Sequence, residues 1–328
     1  MLTAELNRTR RLGVEFEMTM PLVGGSAGEL RQTMANIFAA NGLPAMARAY
    51  SHAAVPFGYD LVVESDTSIT GERQYQGIEW VPVEVKTRIL NGTDDYDRVV
   101  GKLLELCRYL GARVNASTGH HIHVEVTEVR NDPSVIRSLY NITHRVEPVI
   151  FGVVSPSRRN NRFCLPLPDR SRLLHDCNRL EDFRDALNAA GLERYWAVNL
   201  THLFSPAPRV EFRHHAGTLD FEKAKHWRNL CVRLIDHSVQ RTCKATKVQL
   251  ANDQESLLRM LVTLGLKPNS RVYAKVSPEL RATGRFLLRR WKHLNLRADG
   301  SLASRAIPPS PDEPPGISFD FMPPMPSQ

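Results

Sequence analysis

The chain has 328 residues, a length that fits one large domain or two medium ones and allows a substantial buried core. The 42% hydrophobic and 24% charged fractions exclude a chain that is disordered over most of its length. The net charge of +8 favours phosphate-bearing or polyanionic ligands, but it is too small to establish nucleic-acid binding.

Hydropathy and cysteine content indicate the compartment. The longest uninterrupted apolar stretch lies at 149–154, far shorter than the roughly 20 residues of a membrane-spanning helix. The first eleven residues are polar and lack the apolar segment of a secretory signal. The five cysteines form no CxxC pair, which argues against a disulfide framework or a cysteine-based zinc site. We therefore expect a cytoplasmic protein with no membrane partner.

The first half of the chain predicts four strands and two helices. Val14, Phe16 and Met18 alternate with polar residues over 11–20, which is the period of a strand. Ser26 and Glu29 form a capping box that begins a helix ending at residues 41–42. The other predicted elements are strands at 59–64, 78–86 (interrupted by Pro82) and 119–126, and a helix at 94–110.

The second half predicts mainly helices. Asp132 and Pro133 are the N-cap and first residue of a helix that ends or kinks before Pro148. The other predicted elements are a loop at 155–169, strands at 196–204 and 209–215, and helices at 180–190, 221–243, 254–264 and 278–294. From residue 307 the proline content predicts an extended or disordered tail.

The polarity of the strands predicts the fold class. Several strands are polar along one whole face, whereas the strands of a doubly wound parallel sheet read as continuous apolar runs. The sequence therefore predicts an α+β fold, in which a mostly antiparallel sheet has helices packed on one face and an open, functional concavity on the other.

Four of the predicted strands place ionisable side chains at alternate positions. They are Glu15 and Glu17, Glu84, His121 and His123, and Glu211 and Arg213. Each pattern alone is typical of the solvent-facing side of a hairpin, but together on one sheet the carboxylates would repel one another unless cations neutralised them. Oxygen ligands with an imidazole suit Mg²⁺ or Mn²⁺, and such Mg²⁺ sites usually serve phosphate chemistry. Arg213 would lie beside the metal and could hold a phosphoryl group.

The usual nucleotide-binding and hydrolase motifs are missing from the sequence. It contains neither a P-loop nor a G-x-G-x-x-G fingerprint after a strand, so a nucleotide would have to be held through metal and arginines on an open sheet. It also lacks a G-x-S-x-G elbow and a reactive-cysteine signature, which argues against a covalent hydrolase.

Six short motifs occur in an order that resembles the amidoligase family, which is related to glutamine synthetases and glutamate–cysteine ligases. They are GVEFE at 13–17, DTSI at 66–69, EVKTRIL at 84–90, GHHIHV at 119–124, SRRNNRFC at 157–164, and VEFR at 210–213 followed by GTLD at 217–220. The resemblance covers about residues 11–239. It implies a glutamine-synthetase-like catalytic sheet and ATP-dependent joining of a carboxylate to an amine. Where the family often has Ser-Pro after its third glutamate strand, this chain has Thr87 and Arg88.

The resemblance also implies roles for individual residues. The implied metal- and ATP-binding positions are Glu15, Glu17, Glu84, His123 and Glu211, and Arg213 is the implied phosphate-stabilising arginine. Further candidates for nucleotide or substrate contact are His121 and Asn199, with Asp66 and Ser68 to orient the amine or support a ligand, and Arg159 and Arg162 to meet phosphate. A solvated loop explains these last two arginines equally well.

The leading hypothesis is an ATP- and Mg²⁺-dependent amidoligase that acts through an acyl phosphate, with two metal ions (Mg²⁺ or Mn²⁺). Its substrates would be carboxylate- and amine-bearing small molecules, peptides or proteins. The catalytic domain would span residues 1–245, a helical basic extension 246–305 and a flexible Pro-rich tail 306–328. One alternative is a metal-dependent phosphodiesterase or nuclease, which also uses carboxylates, histidine and two divalent ions. The other is a nucleotide-binding module without turnover.

Overall fold

The structure, a computed structural model, describes residues 2–51, 53–70, 77–169, 171–241, 248–269 and 272–297. Within these ranges, we find no helix with the length and apolarity that crossing a membrane requires. Cys243 and the predicted tail from residue 306 lie outside the described residues.

A sheet of seven strands, counted among the described residues, forms the centre of the fold. Its strands are β2 (Leu12–Leu22), β3 (Ala45–Ala47), β4 (Leu61–Glu64), β5 (Glu79–Thr87), β6 (Gly119–Glu125), β7 (Val198–Asn199) and β8 (Arg209–Ala216). Their order is β3–β4–β5–β2–β6–β8–β7, and every neighbouring pair is antiparallel except β3 with β4. The predicted mostly antiparallel sheet is confirmed. A separate parallel pair joins β1 (Leu2–Ala4) to β9 (Tyr273–Val276).

The described residues also form eight α-helices. They are α1 (Ala27–Ala40), α2 (Gly92–Tyr109), α3 (Ser134–Val153), α4 (Ser171–Leu174), α5 (Leu180–Ala189), α6 (Phe221–Gln240), α7 (Gln254–Thr263) and α8 (Pro278–Asn295). The predicted capping box begins α1, since Ser26 Oγ accepts from the Glu29 N–H at 3.2 Å and Glu29 Oε2 accepts from the Ser26 N–H at 2.7 Å. The mixed arrangement of helices with an antiparallel sheet agrees with the predicted class.

The two faces of the main sheet differ because side chains alternate along each strand. One face is apolar and buried, and it contains Val14, Phe16, Met18, Val83, Val85, Ile122, Val124, Val210 and Phe212. These side chains share one hydrophobic core with residues of α1, α2, α3 and α6. The helical layer thus anchors the strands from behind and leaves the opposite, polar face for ligands.

The helix α3 continues through Pro148 to Val153, so the predicted end before this proline is wrong. A proline removes the N–H that would bond the carbonyl four residues earlier. Here Gln249 Nε2 donates to the His144 carbonyl at 3.0 Å, and the Leu250 N–H donates to the Arg145 carbonyl at 2.8 Å. The neighbouring segment therefore satisfies the His144 carbonyl, which the proline would otherwise leave unpaired.

Two strand predictions also need correction. The predicted strand 196–204 shrinks to β7 followed by a 3-10 turn at Thr201–Phe204, because Asn199 Oδ1 accepts from both the backbone N–H and the hydroxyl of Thr201, at 3.0 and 2.7 Å. The strand β5 runs through Pro82 without interruption. The strand β4 pairs only with 84–87, so Pro82 pairs on the β2 side alone, as a sheet proline requires.

The segment predicted as a basic extension supplies α7, β9 and α8. The helix α8 packs on α3 and α6 and contributes Leu287 and Trp291 to the common core. Trp291 Nε1 donates to Asn252 Oδ1 at 2.7 Å, and Asn295 Nδ2 donates to the Gly152 carbonyl at 2.7 Å. The first bond links two parts of the segment, and the second joins the segment to the end of α3.

Gly92 begins α2 at a φ of +85°, and a Cβ there would lie 2.0 Å from the Arg8 carbonyl oxygen, which already accepts from the Thr93 N–H. We expect Gly92→Ala to lower the free energy of unfolding by about 3 kcal/mol or more. The steric overlap of the new Cβ with the Arg8 carbonyl oxygen adds to the strain of a left-handed backbone conformation at a residue that has a Cβ. Gly191→Ala is the matched control, since its φ is +73° and a Cβ would meet no described atom within 4 Å. Its cost should be about 1–2 kcal/mol. Urea unfolding measures both, and equal losses would contradict the overlap.

Candidate active site

The polar face of the main sheet gathers five carboxylates from four strands, three of which are neighbours while β6 separates the fourth, β8, from β2. They are Glu64 on β4, Glu84 on β5, Glu15 and Glu17 on β2, and Glu211 on β8. The strand register puts Glu84 opposite both Glu64 and Glu17, and Glu211 opposite His123. Except for Glu15, which is half-buried, all of them are at most 6% exposed. So many buried acids on one face require compensation by cations or hydrogen bonds.

His121 lies at the centre of these carboxylates. Its Nδ1 is 3.2 Å from Glu15 Oε2 and 3.6 Å from Glu211 Oε1, and its Nε2 is 3.5 Å from Glu17 Oε1. Two groups of side chains have ligand atoms within 4.8 Å of one another, namely Glu15–His121–Glu211 and Glu17–Glu84–His121. Two carboxylates with one imidazole form a donor set that fits Mg²⁺ or Mn²⁺.

His123 makes a different contact. Its Nε2 is 3.2 Å from Glu15 Oε1, and its buried Nδ1 has no hydrogen-bond partner among the described residues. Burial lowers the pKa of His123, but the hydrogen bond and charge of Glu15 outweigh it and raise the pKa above its usual value. Burial likewise raises the pKa of Glu15, yet hydrogen bonds from His121 and His123 hold that pKa well below its usual range. His123 therefore contacts Glu15 on the carboxylate oxygen that His121 leaves free.

Glu211 and Arg213 are held in place by each other and by hydrogen bonds to neighbouring residues. Asn199 Nδ2 donates to Glu211 Oε2 at 2.7 Å, and Arg213 donates to Glu211 Oε1. Arg213 Nε donates to the Phe163 carbonyl at 3.0 Å, and Arg158 Nη2 donates to the carbonyl of Arg213 at 2.8 Å. Burial raises the pKa of Glu211, but the charge of Arg213 lowers it below its usual value. The loop at 155–169 thus fixes the orientation of the arginine.

Arg213 lies two residues after Glu211 and so shares its face of the sheet, and a bulge in β8 begins here. Ile122 pairs with Phe212 but His120 pairs with His215, so β8 carries one more residue than β6 in this interval. Arg213 faces the carboxylates, whereas His214 and His215 both turn to the helical side, where each contacts the Trp227 ring. Bulges of this kind commonly redirect a side chain beside an active site.

Sequence analysis missed a cationic group at the β4 side of the site. Lys86 Nζ lies 3.0 Å from Glu64 Oε2 and 3.0 Å from Glu84 Oε2, and Arg48 Nε donates to Glu64 Oε1. Burial and the nearby charge of Glu15 raise the pKa of Glu84 well above its usual value, although Lys86 opposes this rise. The alternation of Glu84 with Lys86 in the sequence VEVK could have indicated that Lys86 lies on the site face. The position of Glu64 beside them depends on strand register, which the sequence does not show.

The remaining sequence candidates lie apart from this cluster or in its bordering loops. Asp66 Oδ1 accepts from the Ser68 N–H at 2.7 Å in the turn that follows β4. Arg159 donates to the Phe151 carbonyl at 3.0 Å and to Asn295 at 3.3 Å, so it is bound to α3 and α8 and is not brought to the carboxylates.

Arg162 stands in the same loop as Arg159. Its guanidinium lies over the Phe163 ring at 4.7 Å. The Phe163 carbonyl accepts a hydrogen bond from Arg213, so Arg162 lies in a segment that contacts the site. The guanidinium of Arg162 itself contacts the Phe163 ring and not the carboxylates.

Three histidines face the helices and not the carboxylates. His120 stacks on Phe16 at 4.1 Å, and burial holds its pKa well below the usual value. His214 Nε2 is 3.2 Å from Glu147 Oε1 in the core. Burial lowers the pKa of His215 to about 3. These three residues pack on the side of the sheet that faces the helices.

The chain is similar to a known protein family and to a protein of known structure. The family described as "Putative amidoligase enzyme" matches residues 8–235. The chain is similar to a chain in the crystal structure of the complex between Prokaryotic Ubiquitin-like Protein Pup and its Ligase PafA, with 11% identity and a TM-score of 0.37. The match covers 88% of this chain and 64% of that chain, so this chain spans less than two thirds of that protein. No curated protein matches.

The low pKa of buried His215 predicts acid sensitivity of the fold. Unfolding returns this side chain to a pKa of about 6.5, so the unfolded state binds more protons below that pH. The stability contributed by neutral His215 is complete above pH 6.5 and should be lost toward pH 3, at up to about 1.4 kcal/mol per pH unit. Urea unfolding between pH 7.5 and 5 should show a shallower decline for His215→Gln than for wild type. Exposed His175→Gln is the control, and identical slopes for all three proteins would contradict the expectation.

Proposed function

This chain belongs to the amidoligase family, and we propose that it joins a carboxylate to an amine in a reaction driven by ATP. The observation that carries the proposal is the polar face itself. Five carboxylates, His121 and Arg213 converge there on a mostly antiparallel sheet whose other face is bound to helices. We further propose that this sheet has the glutamine-synthetase-like arrangement that the sequence motifs imply.

The proposed reaction has two steps. The substrate carboxylate takes the γ-phosphoryl group of ATP, which gives an acyl phosphate and ADP. The amine nitrogen then attacks the acyl carbon, phosphate leaves, the nitrogen loses a proton, and an amide bond remains. A bound divalent ion would supply charge neutralisation and polarisation of the phosphoryl group.

The donor geometry supports a specific ligand set. We propose Glu15, Glu17, Glu84 and Glu211 as the carboxylate ligands and His121 as the imidazole, because His121 belongs to both groups of convergent donors. His123, the imidazole that the sequence motifs had implied, contacts Glu15 on its other oxygen. Its proposed role is to orient Glu15 and to contact nucleotide.

Arg213 is proposed to bind the transferring phosphoryl group. Its Nε is bonded to the Phe163 carbonyl, while Nη1 reaches Glu211, so the guanidinium plane is fixed before substrate arrives. A preorganised donor stabilises developing charge without reorganisation during the reaction. Asn199 supports this arrangement because it holds the other oxygen of Glu211.

One assay separates this proposal from the nuclease and the inactive binding module. The protein is incubated with Mg-ATP and pooled amino acids, peptides or cell extract, and ADP release is followed together with mass gain of an acceptor. A ligase should release ADP only with its acceptors and should leave DNA and RNA intact. Cleavage of nucleic acid without ATP, or tight ATP binding with no turnover on any acceptor, would contradict it.

Metal and nucleotide are expected to bind together, because phosphates alone would add negative charge to an acidic face. Calorimetry should show ATP binding at least about tenfold tighter with Mg²⁺ or Mn²⁺ than in EDTA. His121→Asn should reduce this difference more than His123→Asn, since His121 contacts three carboxylates. Equal ATP affinity with and without metal would exclude the proposed metal site.

Arg213→Lys should lower kcat by about 10²–10³-fold while the fold and metal binding persist. Lysine keeps the positive charge but loses the planar fork that matches phosphoryl oxygens. Glu211→Gln is the comparison variant, and it should weaken Mg²⁺ binding first. ADP release with a competent acceptor pair, thermal melts and Mg²⁺ titration distinguish the two. Turnover close to wild type in Arg213→Lys would remove the arginine from the proposed mechanism.

A further inference from the structure

The five carboxylates of the polar face are not equally compensated. Glu64 pairs with Arg48 and Lys86, Glu84 pairs with Lys86, and Glu211 pairs with Arg213. Glu15 and Glu17 instead contact histidines and, for Glu17, the Gly119 N–H at 2.6 Å. If all five acids are ionised, the three permanent cations leave two negative charges. One divalent ion is sufficient to balance them.

Lys86 occupies a position with the character of a metal site. Its Nζ lies 3.0 Å from Glu64 Oε2, 3.0 Å from Glu84 Oε2 and 3.2 Å from the Ser51 carbonyl oxygen. These three oxygens match the three N–H donors of an ammonium group. Two carboxylates with a backbone carbonyl are also a set that Mg²⁺ or Mn²⁺ would accept.

The surroundings keep this ammonium charged and in place. The side chains of Lys86, Glu64 and Glu84 are 16%, 0% and 4% exposed, so water screens their attraction only weakly. Lys86 Nζ also lies 5.2 Å from the centre of the Tyr50 ring. A cationic side chain is therefore built into this end of the site.

We propose that Lys86 replaces a second resident metal ion, so that the protein without nucleotide holds one divalent ion among Glu15, Glu17, His121 and Glu211. This inference rests on the proposed function and refines its metal content. Any further ion arrives with ATP, and Glu84 acts as a metal ligand only in that state. In this arrangement Glu64 neutralises Lys86 together with Glu84 and does not act as a metal ligand.

The test counts Mn²⁺ ions bound per chain without nucleotide, by electron paramagnetic resonance of free Mn²⁺ and by calorimetry. Wild type should bind one ion. Lys86→Met should bind a second ion, or bind its first at least about tenfold more tightly, because an opposing charge is gone. Lys86→Arg keeps the charge and should resemble wild type. The double variant Lys86→Met with Glu64→Gln removes an acid together with the base and should return to one ion.

The outcomes separate the inference from the function on which it rests. A wild-type protein that binds no Mn²⁺ contradicts the proposed metal site itself. A wild-type protein that binds two ions leaves that site intact and overturns the role of Lys86. A folded Lys86→Met protein with unchanged stoichiometry and affinity overturns it as well. Thermal melts establish folding, and if Lys86→Met does not fold, Lys86→Gln takes its place with the same expected gain.

Discussion

Mutual repulsion among buried carboxylates is the constraint on which the rest of this structure depends. Glu17, Glu64, Glu84 and Glu211 lie almost fully buried on one face of a sheet, where unpaired charge is costly. The apolar rows on the opposite face, packed against α1, α2, α3 and α6, supply the burial that holds the strands together despite this repulsion. Histidines, Lys86 and Arg213 then set how much negative charge remains for a ligand.

Strand alternation carried most of the information that the sequence could provide. The patterns around Val14 and Phe16 and around Ile122 and Val124 predicted which side chains point to the core, and they therefore placed the acids on a common face. Alternation says nothing about which strands are neighbours. The central place of His121, and the participation of Glu64, depend on register and strand order, which come from long-range pairing.

The incorrect predictions have one distant and one local cause. Pro148 signals a helix end by its missing N–H, yet Gln249, a hundred residues later, satisfies the carbonyl concerned. The local pattern cannot show that these two segments lie close together. Asn199, a candidate for nucleotide or substrate contact, also ends β7 because its side chain accepts from Thr201, two residues later. Such a local bond competes with the strand for the backbone groups.

The bulge in β8 makes the length of this strand as important as its composition. Beyond the bulge the inside and outside of the strand are exchanged, so two consecutive histidines, His214 and His215, both face the helices. Loss of one residue between Phe212 and His215 would restore a regular ladder and still leave an apparently sound strand. Loss of Arg213 itself would bring His214 to the site face in its place, so the site would lose its arginine while it keeps all of its carboxylates, whereas loss of His214 would leave Arg213 facing the site. Alignments of related chains at this point are therefore meaningful only when gaps are read as carefully as substitutions.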